Sequence, residues 1–177
     1  MIHNFGDSNE FSHLFRKEII PSKTTLLEEG KMANTIYFIE QGCIRSWFNN
    51  NGKDITVQFF FEEDQVASIE SFRTNKPSLF ALETIEKTIV YCLEKKDFEF
   101  IMENSPSIRK HVEDRIFERL IFYQHLFLSR IKNNPYERYN ELIQTHPKIL
   151  QRVPQHYIAS YLGITSVSLS RIRNRRT

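Results

Sequence analysis

The residues best suited to recognising a ligand lie near the end of the chain, in the segment Pro154–Arg176. Hydroxyl, amide and guanidinium groups donate hydrogen bonds to base edges and phosphates, and small apolar groups contact thymine methyls. Arg171 suits bases or phosphates and Val167 a thymine methyl, whereas Arg173 and Arg175 suit phosphates. The residues that we predict to contact a DNA duplex are Thr165, Ser166, Val167, Ser168, Ser170, Arg171, Arg173, Asn174 and Arg175.

A helix-turn-helix would place these side chains on one exposed surface. Ile158 and Leu162 share a face of a first helix, and Gly163 provides the conformational freedom that a sharp turn needs. Thr165 is a suitable N-cap for a second helix, whose Leu169 points back toward the first. Two helices joined by a short turn with one glycine are typical of this motif. The alternative is an ordinary pair of helices with a solvated basic face.

Charge is distributed unevenly along the chain. The 177 residues have a formal net charge of +2. Residues 142–177 contribute +6 and contain no acidic residue, so the first 141 residues carry −4. An acidic body with a basic terminal segment favours contact between that segment and a polyanion.

The region from Thr24 to Leu93 has the pattern of a β-rich domain. Tight turns are predicted at Gln41-Gly42 and Asn49–Gly52, because Asn and Gly tolerate the backbone angles that hairpins need. The predicted strands are Thr35–Glu40, Cys43–Phe48, Ile55–Phe61, Gln65–Ile69, Phe80–Ile85 and Thr88–Leu93. Short strands separated by turn signals predict an antiparallel sandwich or barrel.

A long helix is predicted from Ser105-Pro106, an N-cap with a first-turn proline, to Asn133-Asn134-Pro135. Its apolar residues form two sets. The first, which we predict to be a dimer interface, comprises Val112, Ile116, Leu120, Tyr123, Phe127 and Ile131. The second comprises Phe117, Ile121, Phe122 and Leu128. Two apolar faces favour burial against the β-domain on one side and a second chain on the other, with burial inside one monomer as the alternative.

Several other functions are not expected. The only two cysteines, Cys43 and Cys92, cannot supply four ligands to an iron–sulfur cluster and are expected to be buried free thiols. The six histidines show no metal-binding spacing, so no metal is expected. No glycine-rich phosphate loop or nucleophile motif appears, and the acidic pairs Glu28-Glu29 and Glu62-Glu63 are expected to be solvated. We therefore expect no enzyme activity.

No apolar run approaches the roughly 20 residues that span a bilayer. The first residues also lack the basic start and apolar stretch of a signal peptide. We therefore expect no membrane association and a cytoplasmic location.

The sequence resembles the Crp/Fnr family of regulators, of the catabolite-activator type, over nearly the whole chain. In the segment LLEEGKMANTIYFIEQG, the family-like residues are Glu29, Gly30, Tyr37, Ile39 and Gly42. In IASYLGITSVSLSRIR, Gly163 lies at the turn and Arg171 at the position of the family's recognition-helix arginine. The resemblance implies a cyclic-nucleotide-binding-like jelly roll, a long dimerisation helix and a DNA-binding domain.

The family's cyclic AMP site is degenerate here. Members that bind cyclic AMP use a Gly-Glu pair for the ribose and, some ten residues later, Arg-Ser or Arg-Thr for the cyclic phosphate. The matching residues, our predicted effector pocket, are Ala67, Ser68, Ile69, Glu70, Ser78 and Leu79. A buried phosphate would lack its bidentate arginine. We therefore predict no cofactor and no response to cyclic AMP, and either a different small effector or none.

Two further departures concern the DNA-binding domain. Only Thr145–Val153 is available for the β-hairpin wing of the family, so the wing should be reduced or absent. Ser166-Val167 replaces the usual charged Arg-Glu pair, so the operator should differ from that of the catabolite activator.

Together these observations predict an α+β fold. It comprises a double-stranded β-helix (jelly roll) sensor domain over residues 1–104, a dimerisation helix over 105–133 and a helix-turn-helix domain over 134–177. The predicted function is sequence-specific transcription regulation by a homodimer on palindromic double-stranded DNA, with RNA polymerase as a further partner. The alternative is a ligand sensor or adaptor that does not bind DNA.

Overall fold

The computed structural model describes residues 9–174, in which an antiparallel β-roll is followed by helices. A 3₁₀ helix, Asn9–Leu14, precedes the first strand. The strands are β1 (Arg16–Ile20), β2 (Thr25–Leu27), β3 (Thr35–Gln41), β4 (Ile44–Asn50), β5 (Lys53–Phe60), β6 (Gln65–Val66), β7 (Ala81–Thr84) and β8 (Thr88–Glu94). They form two four-stranded sheets, in the orders β1-β8-β3-β6 and β2-β7-β4-β5. The predicted jelly-roll class is confirmed.

Both sheets contribute side chains to one apolar cluster inside the roll. Its buried members are Ile20, Ile39, Ile44, Phe60, Val66, Leu82, Val90 and Cys92. The cluster draws on both sheets because the strands alternate inward and outward side chains. The interior of the roll is thus occupied by the protein's own apolar groups.

The turn between β3 and β4 depends on Gly42, as the Gln41-Gly42 pattern predicted. Its φ of +112° lies in the region that side chains rarely adopt, and a Cβ there would come within 2.7 Å of the Thr88 Cα. Only glycine therefore allows the turn to approach β8 this closely.

One predicted strand is wrong over most of its length. Of Gln65–Ile69, only Gln65 and Val66 are in a strand, and Ile69–Thr74 forms the short helix α1. The burial of this segment does not alternate as a strand requires, because the adjacent residues Ser71 and Phe72 are both buried whereas Ile69 is 65% exposed. The sequence patterns also missed β1, β2 and the helix α2 (Lys95–Asn104).

Five helices complete the described chain: α3 (Pro106–Lys132), α4 (Pro135–Thr145), α5 (Ile149–Arg152), α6 (Gln155–Leu162) and α7 (Ser166–Asn174). The long helix begins where it was predicted, with the Ser105 hydroxyl accepting from the Ile108 amide. Asn134 and Glu137 form a capping box at the start of α4. These local signals explain why the chain turns sharply between α3 and α4.

The helices after α3 pack directly on the β-roll. A single apolar cluster contains Cys43, Phe59, Phe61 and Ile85 of the roll. Its members from the C-terminal helices are Tyr139, Leu142, Ile149, Val153, Ile158, Ala159, Leu162 and Leu169. The shared core fixes these helices against the outer face of β5.

Residues 146–154 contain α5 and no strand, so this segment forms no β-hairpin wing. Cys43 and Cys92 are both buried free thiols, as predicted. Burial raises the pKa of Cys92 to about 11. Among residues 9–174, no helix has the length and apolar content needed to cross a membrane.

Candidate nucleic-acid interface

α6 and α7 are joined by a turn centred on Gly163. With φ at +68°, Gly163 ends α6 in the left-handed conformation, and the amide of the next residue, Ile164, donates to the Ala159 carbonyl at 3.0 Å. α7 begins three residues after Gly163. This is the predicted helix–turn–helix connection.

The two helices share an apolar core. Leu162 and Leu169 are almost completely buried, as is Ile158 on α6. Ile164 in the turn and Ile172 on α7 are half-buried against the same cluster. These contacts fix one face of α7 and leave the opposite face for a partner.

The start of α7 is capped within the motif. The Thr165 hydroxyl accepts from the Ser168 amide at 3.1 Å, and the two hydroxyl oxygens lie 3.1 Å apart. Thr165 and Ser168, both predicted to contact DNA, therefore also stabilise the first turn of the helix.

The other predicted contact residues lie mostly on the open face of α7. Ser166, Ser170, Arg171 and Asn174 are exposed, and Val167 is 61% exposed. Arg173 is half-buried, and Arg175 lies outside the described residues. The structure thus brings together a hydroxyl, apolar and guanidinium surface along one helix face.

Arg138 on α4, which was not predicted to be functional, stabilises the helix-turn-helix by hydrogen bonds to the backbone. Its Nη2 donates to the Leu162 carbonyl at 2.9 Å and its Nη1 to the Asn133 carbonyl at 2.7 Å. It therefore ties the end of α6 to the end of α3. No local pattern marks this arginine, because Leu162 lies 24 residues away in the sequence.

Arg152 connects the C-terminal helices to the β-roll by charge. It contacts Glu62 with two nitrogens at 2.8 Å and Glu86 through Nε at 3.0 Å. Glu62 also accepts from the Gly42 amide at 2.9 Å. Burial acts to raise the pKa of Glu62, but hydrogen bonds from Arg152 and Gly42 outweigh it and lower the pKa to about 2. Glu62 is exposed, as predicted, but it is also ion-paired with Arg152, a partner that the sequence pattern missed because it is remote in sequence.

The long helix α3 exposes many large apolar side chains. In the predicted dimer seam, Ile116, Leu120, Phe127 and Ile131 are each more than 60% exposed and Tyr123 is 43% exposed. Val112 differs, because it is half-buried against its own chain near Ile108. The second set, Phe117, Ile121, Phe122 and Leu128, is exposed as well. Such a surface on one helix is unusual for a monomer in water.

The six predicted effector residues differ widely in exposure. Ser68 and Ser78 are buried, and the Ser78 hydroxyl lies 2.9 Å from the Ser68 hydroxyl and 2.6 Å from the Phe80 carbonyl. Ala67 is half-buried, Glu70 is exposed, and the side chains of Ile69 and Leu79 are mostly exposed. The Ser68 and Ser78 hydroxyls are thus already engaged in hydrogen bonds within the protein.

Two other features bear on ligand binding by the roll. Gln58 on β5 is buried, and its side-chain oxygen has no hydrogen-bond partner among the described residues. A cleft of about 390 Å³ lies at the edge of the roll and is lined by Arg16, Glu18, Tyr37 and Cys92 among others. None of the six predicted effector residues lines this cleft.

The sequence profile of the cyclic nucleotide-binding domain matches residues 17–105, about half of the chain. The chain belongs to the cyclic nucleotide-binding domain family. The match covers the β-roll and α2 and ends where α3 begins. No curated protein sequence matches the chain.

Solved structures share the fold of most of this chain. FixK2 from Bradyrhizobium japonicum is 15% identical, with a TM-score of 0.77 over 91% of this chain and 83% of that chain. A Crp/Fnr-family transcriptional regulator from Eubacterium rectale is 14% identical, with a TM-score of 0.75 over 96% and 86%. The Thermus thermophilus catabolite activator protein is 16% identical, with a TM-score of 0.57 over 96% and 84%. The resemblance to Crp/Fnr regulators is thus confirmed for the fold.

The residues that we predicted at the family's phosphate position differ from the pattern that binds cyclic AMP. The resemblance matches Ala67 and Ser68 to the Gly-Glu pair, and neither sequence neighbour of Ser78 is an arginine. The buried Ser68–Ser78 pair offers hydroxyl groups but no positive charge.

Proposed function

We propose that the protein is a dimeric transcription regulator of the Crp/Fnr type that binds palindromic double-stranded DNA and does not respond to cyclic AMP. The observation that carries the proposal is α7: its inner face is buried through Leu169, whereas Ser170 and Arg171 stand exposed on the outer face. A helix presented in this way fits the major groove. The proposed activity is binding rather than catalysis, in the cytoplasm and without membrane association.

Dimerisation through α3 would give the complex two-fold symmetry. The exposed seam from Ile116 to Ile131 supports it, because burying these side chains removes a large apolar area from water. Two copies of α7 would then enter successive major grooves about 34 Å apart. Contact with RNA polymerase would be an additional requirement for activation.

The proposed independence from cyclic AMP is supported by the chemistry of the roll. Its interior is filled by apolar side chains, and Ser68 pairs with Ser78 where a phosphate would bind. A different small effector, if one binds the roll, would donate a hydrogen bond to the buried side-chain oxygen of Gln58.

A salt titration of DNA binding tests the proposal. Labelled genomic fragments are offered to the ligand-free protein, and the bound fragments are titrated by fluorescence anisotropy between about 50 and 200 mM salt. We expect a preferred fragment whose affinity falls steeply with salt, since each neutralised phosphate releases counterions. No binding at low salt would favour the adaptor alternative, and equal binding of all fragments would contradict sequence-specific recognition.

A further inference from the structure

A buried arginine lies at the boundary between the β-roll and the DNA-binding helices. Arg45 on β4 is 1% exposed, and it points away from the roll interior toward α6. Removing a guanidinium group from water is costly unless hydrogen bonds and an opposite charge compensate. The contacts of Arg45 therefore show what the fold uses it for.

The β-roll alone supplies the compensating charge. The Nε and Nη2 of Arg45 lie 2.8 and 2.6 Å from one Glu83 carboxylate oxygen, and Nη2 lies 3.4 Å from Asp54. Nη1 donates to the Thr56 hydroxyl at 3.4 Å. The guanidinium group is thus held in a fixed orientation by β5 and β7.

The free face of that guanidinium group stacks on α6. Its central carbon lies 3.7 Å from the centre of the Tyr157 ring and 4.9 Å from the Trp47 ring. Tyr157 belongs to the first helix of the helix-turn-helix, so a preoriented cation of the roll contacts the DNA-binding motif.

One turn further along α6, Ser160 bonds the backbone of β5. Its hydroxyl accepts from the Thr56 amide at 2.9 Å and donates to the Asp54 carbonyl at 2.8 Å. β5 is an edge strand of its sheet, so these backbone groups have no neighbouring strand to pair with. Ser160 therefore docks α6 on the strand edge at a defined register.

We infer that Arg45, Tyr157 and Ser160 form a latch that fixes the recognition helix α7 relative to the β-roll, which makes them positioning residues for DNA binding. The inference rests on the proposed function. A dimer must fit two half-sites at once, and a fixed orientation lowers the entropy lost on binding. In the latched arrangement Ser170 and Arg171 are exposed, so the latch holds α7 with its predicted contact face open to DNA.

Two variants on the α6 side test the latch while leaving the β-roll intact: Tyr157→Leu removes the stacking, and Ser160→Ala removes both hydrogen bonds. Tyr157→Phe, which keeps the ring, is the matched control. We expect each of the first two to weaken operator binding by about tenfold. The slope of affinity against salt should stay unchanged, because no phosphate contact is lost. Tyr157→Phe should bind like the wild type.

Spin labels measure the latch without DNA. Lys76→Cys on the roll and Gln144→Cys on α4 place labels at exposed positions, whereas the native cysteines are buried. The distribution of distances between the two labels should be narrow in the otherwise wild-type protein and in Tyr157→Phe. It should be broad in Tyr157→Leu and Ser160→Ala. Narrow distributions with unchanged affinity in both variants would overturn the latch. Tighter binding by the variants would also overturn it, since the contact would then oppose DNA binding.

The two proposals fail in different ways. A wild type that binds no DNA overturns the proposed function and with it the positioning role, but the label distances still decide whether the latch exists. A wild type that binds DNA, with variants that match it in both measurements, overturns the latch alone.

Discussion

The guanidinium group of Arg152 on α5 holds the Glu62 carboxylate of the β-roll in a two-point ion pair, with both N–O distances at 2.8 Å. The two residues lie 90 positions apart in the sequence. Glu62 thereby joins the turn at Gly42 to the DNA-binding helices. The Glu62 carboxylate is thus one of several contacts that link the two parts of the molecule.

Acid should weaken this connection. The pKa of Glu62 is lowered from its ordinary 4.5 to about 2 in the folded protein, so its stabilising effect is complete above pH 4.5 and is lost as the pH falls through about 2. Because the pair is partly exposed, Glu62→Gln should cost about 1 kcal/mol or less at pH 7. The free energy of unfolding in urea, measured from pH 7 to pH 2, should depend less on pH in the variant. The exposed neighbour Glu63→Gln is the control, and an equal pH dependence in wild type and Glu62→Gln would contradict the assignment.

The core of the helix-turn-helix should be sensitive to truncation. Leu169 is fully buried, so Leu169→Ala should lower the free energy of unfolding by about 2–5 kcal/mol. Val167 lies two residues earlier on the exposed face, and Val167→Ala should change the free energy of unfolding by less than about 0.5 kcal/mol. Urea denaturation of both variants checks the assignment of faces, which would be wrong if Val167→Ala proved the costlier change.

The dimer seam should depend on Leu120. A glutamate there would place a charge in an apolar interface from each chain, so Leu120→Glu should raise the dimer dissociation constant by roughly a hundredfold or more. Ile121→Glu alters a similarly exposed residue of the second apolar set and should have a smaller effect. Sedimentation velocity measures both. If the Leu120→Glu protein stays dimeric over the concentrations at which the wild type is dimeric, the dimer interface does not include Leu120.

Arg171 should contribute sequence-specific affinity. Arg171→Ala should weaken binding to the native operator by about 1–3 kcal/mol, because a bidentate arginine contact to a base would be lost. Arg173→Ala, at a half-buried position suited to phosphates, should weaken binding to all sequences alike and reduce the salt slope by about one. Anisotropy titrations on operator and scrambled duplexes separate the two effects. Unchanged operator affinity in Arg171→Ala would mean that another face of α7 meets the bases.

Cyclic AMP should leave the protein unaffected. A ligand that binds only the folded state raises Tm according to its concentration relative to its Kd, so millimolar cyclic AMP would shift Tm if it bound in the micromolar range. We expect no shift in a thermal-unfolding assay, and the same result with noncyclic AMP as the control. A rise of several degrees with cyclic AMP alone would show that the protein binds it and would contradict this prediction.

The parts of the fold that were predictable are those encoded by local patterns. Ser105-Pro106 and Asn133–Pro135 are signals that act over one turn, and they placed the start and the end of α3. Gly163 and Leu169 located the helix-turn-helix for the same reason, since turn and core lie within a few residues of each other. α1 was missed because it has only six residues and a single buried aromatic residue, Phe72. So short an apolar pattern does not distinguish a helix from a strand.

The contacts between the β-roll and the DNA-binding helices were not predictable. Arg45 meets Glu83 across 38 residues, and Ser160 meets Thr56 across 104 residues. Such pairs arise from the arrangement of the sheets, and the hydrophobic periodicity of one segment carries no information about them. The same holds for Arg152, because nothing in the sequence around it distinguishes it from an arginine that is exposed to solvent.

The most direct test of the central claim is selection of duplexes from a random library by the ligand-free wild-type protein. We expect enrichment of a two-fold symmetric sequence whose half-site centres lie about one helical turn apart, and a footprint that covers both half-sites. Recovery of sequences without symmetry or enrichment, under low salt and with a correctly folded dimer, would contradict it.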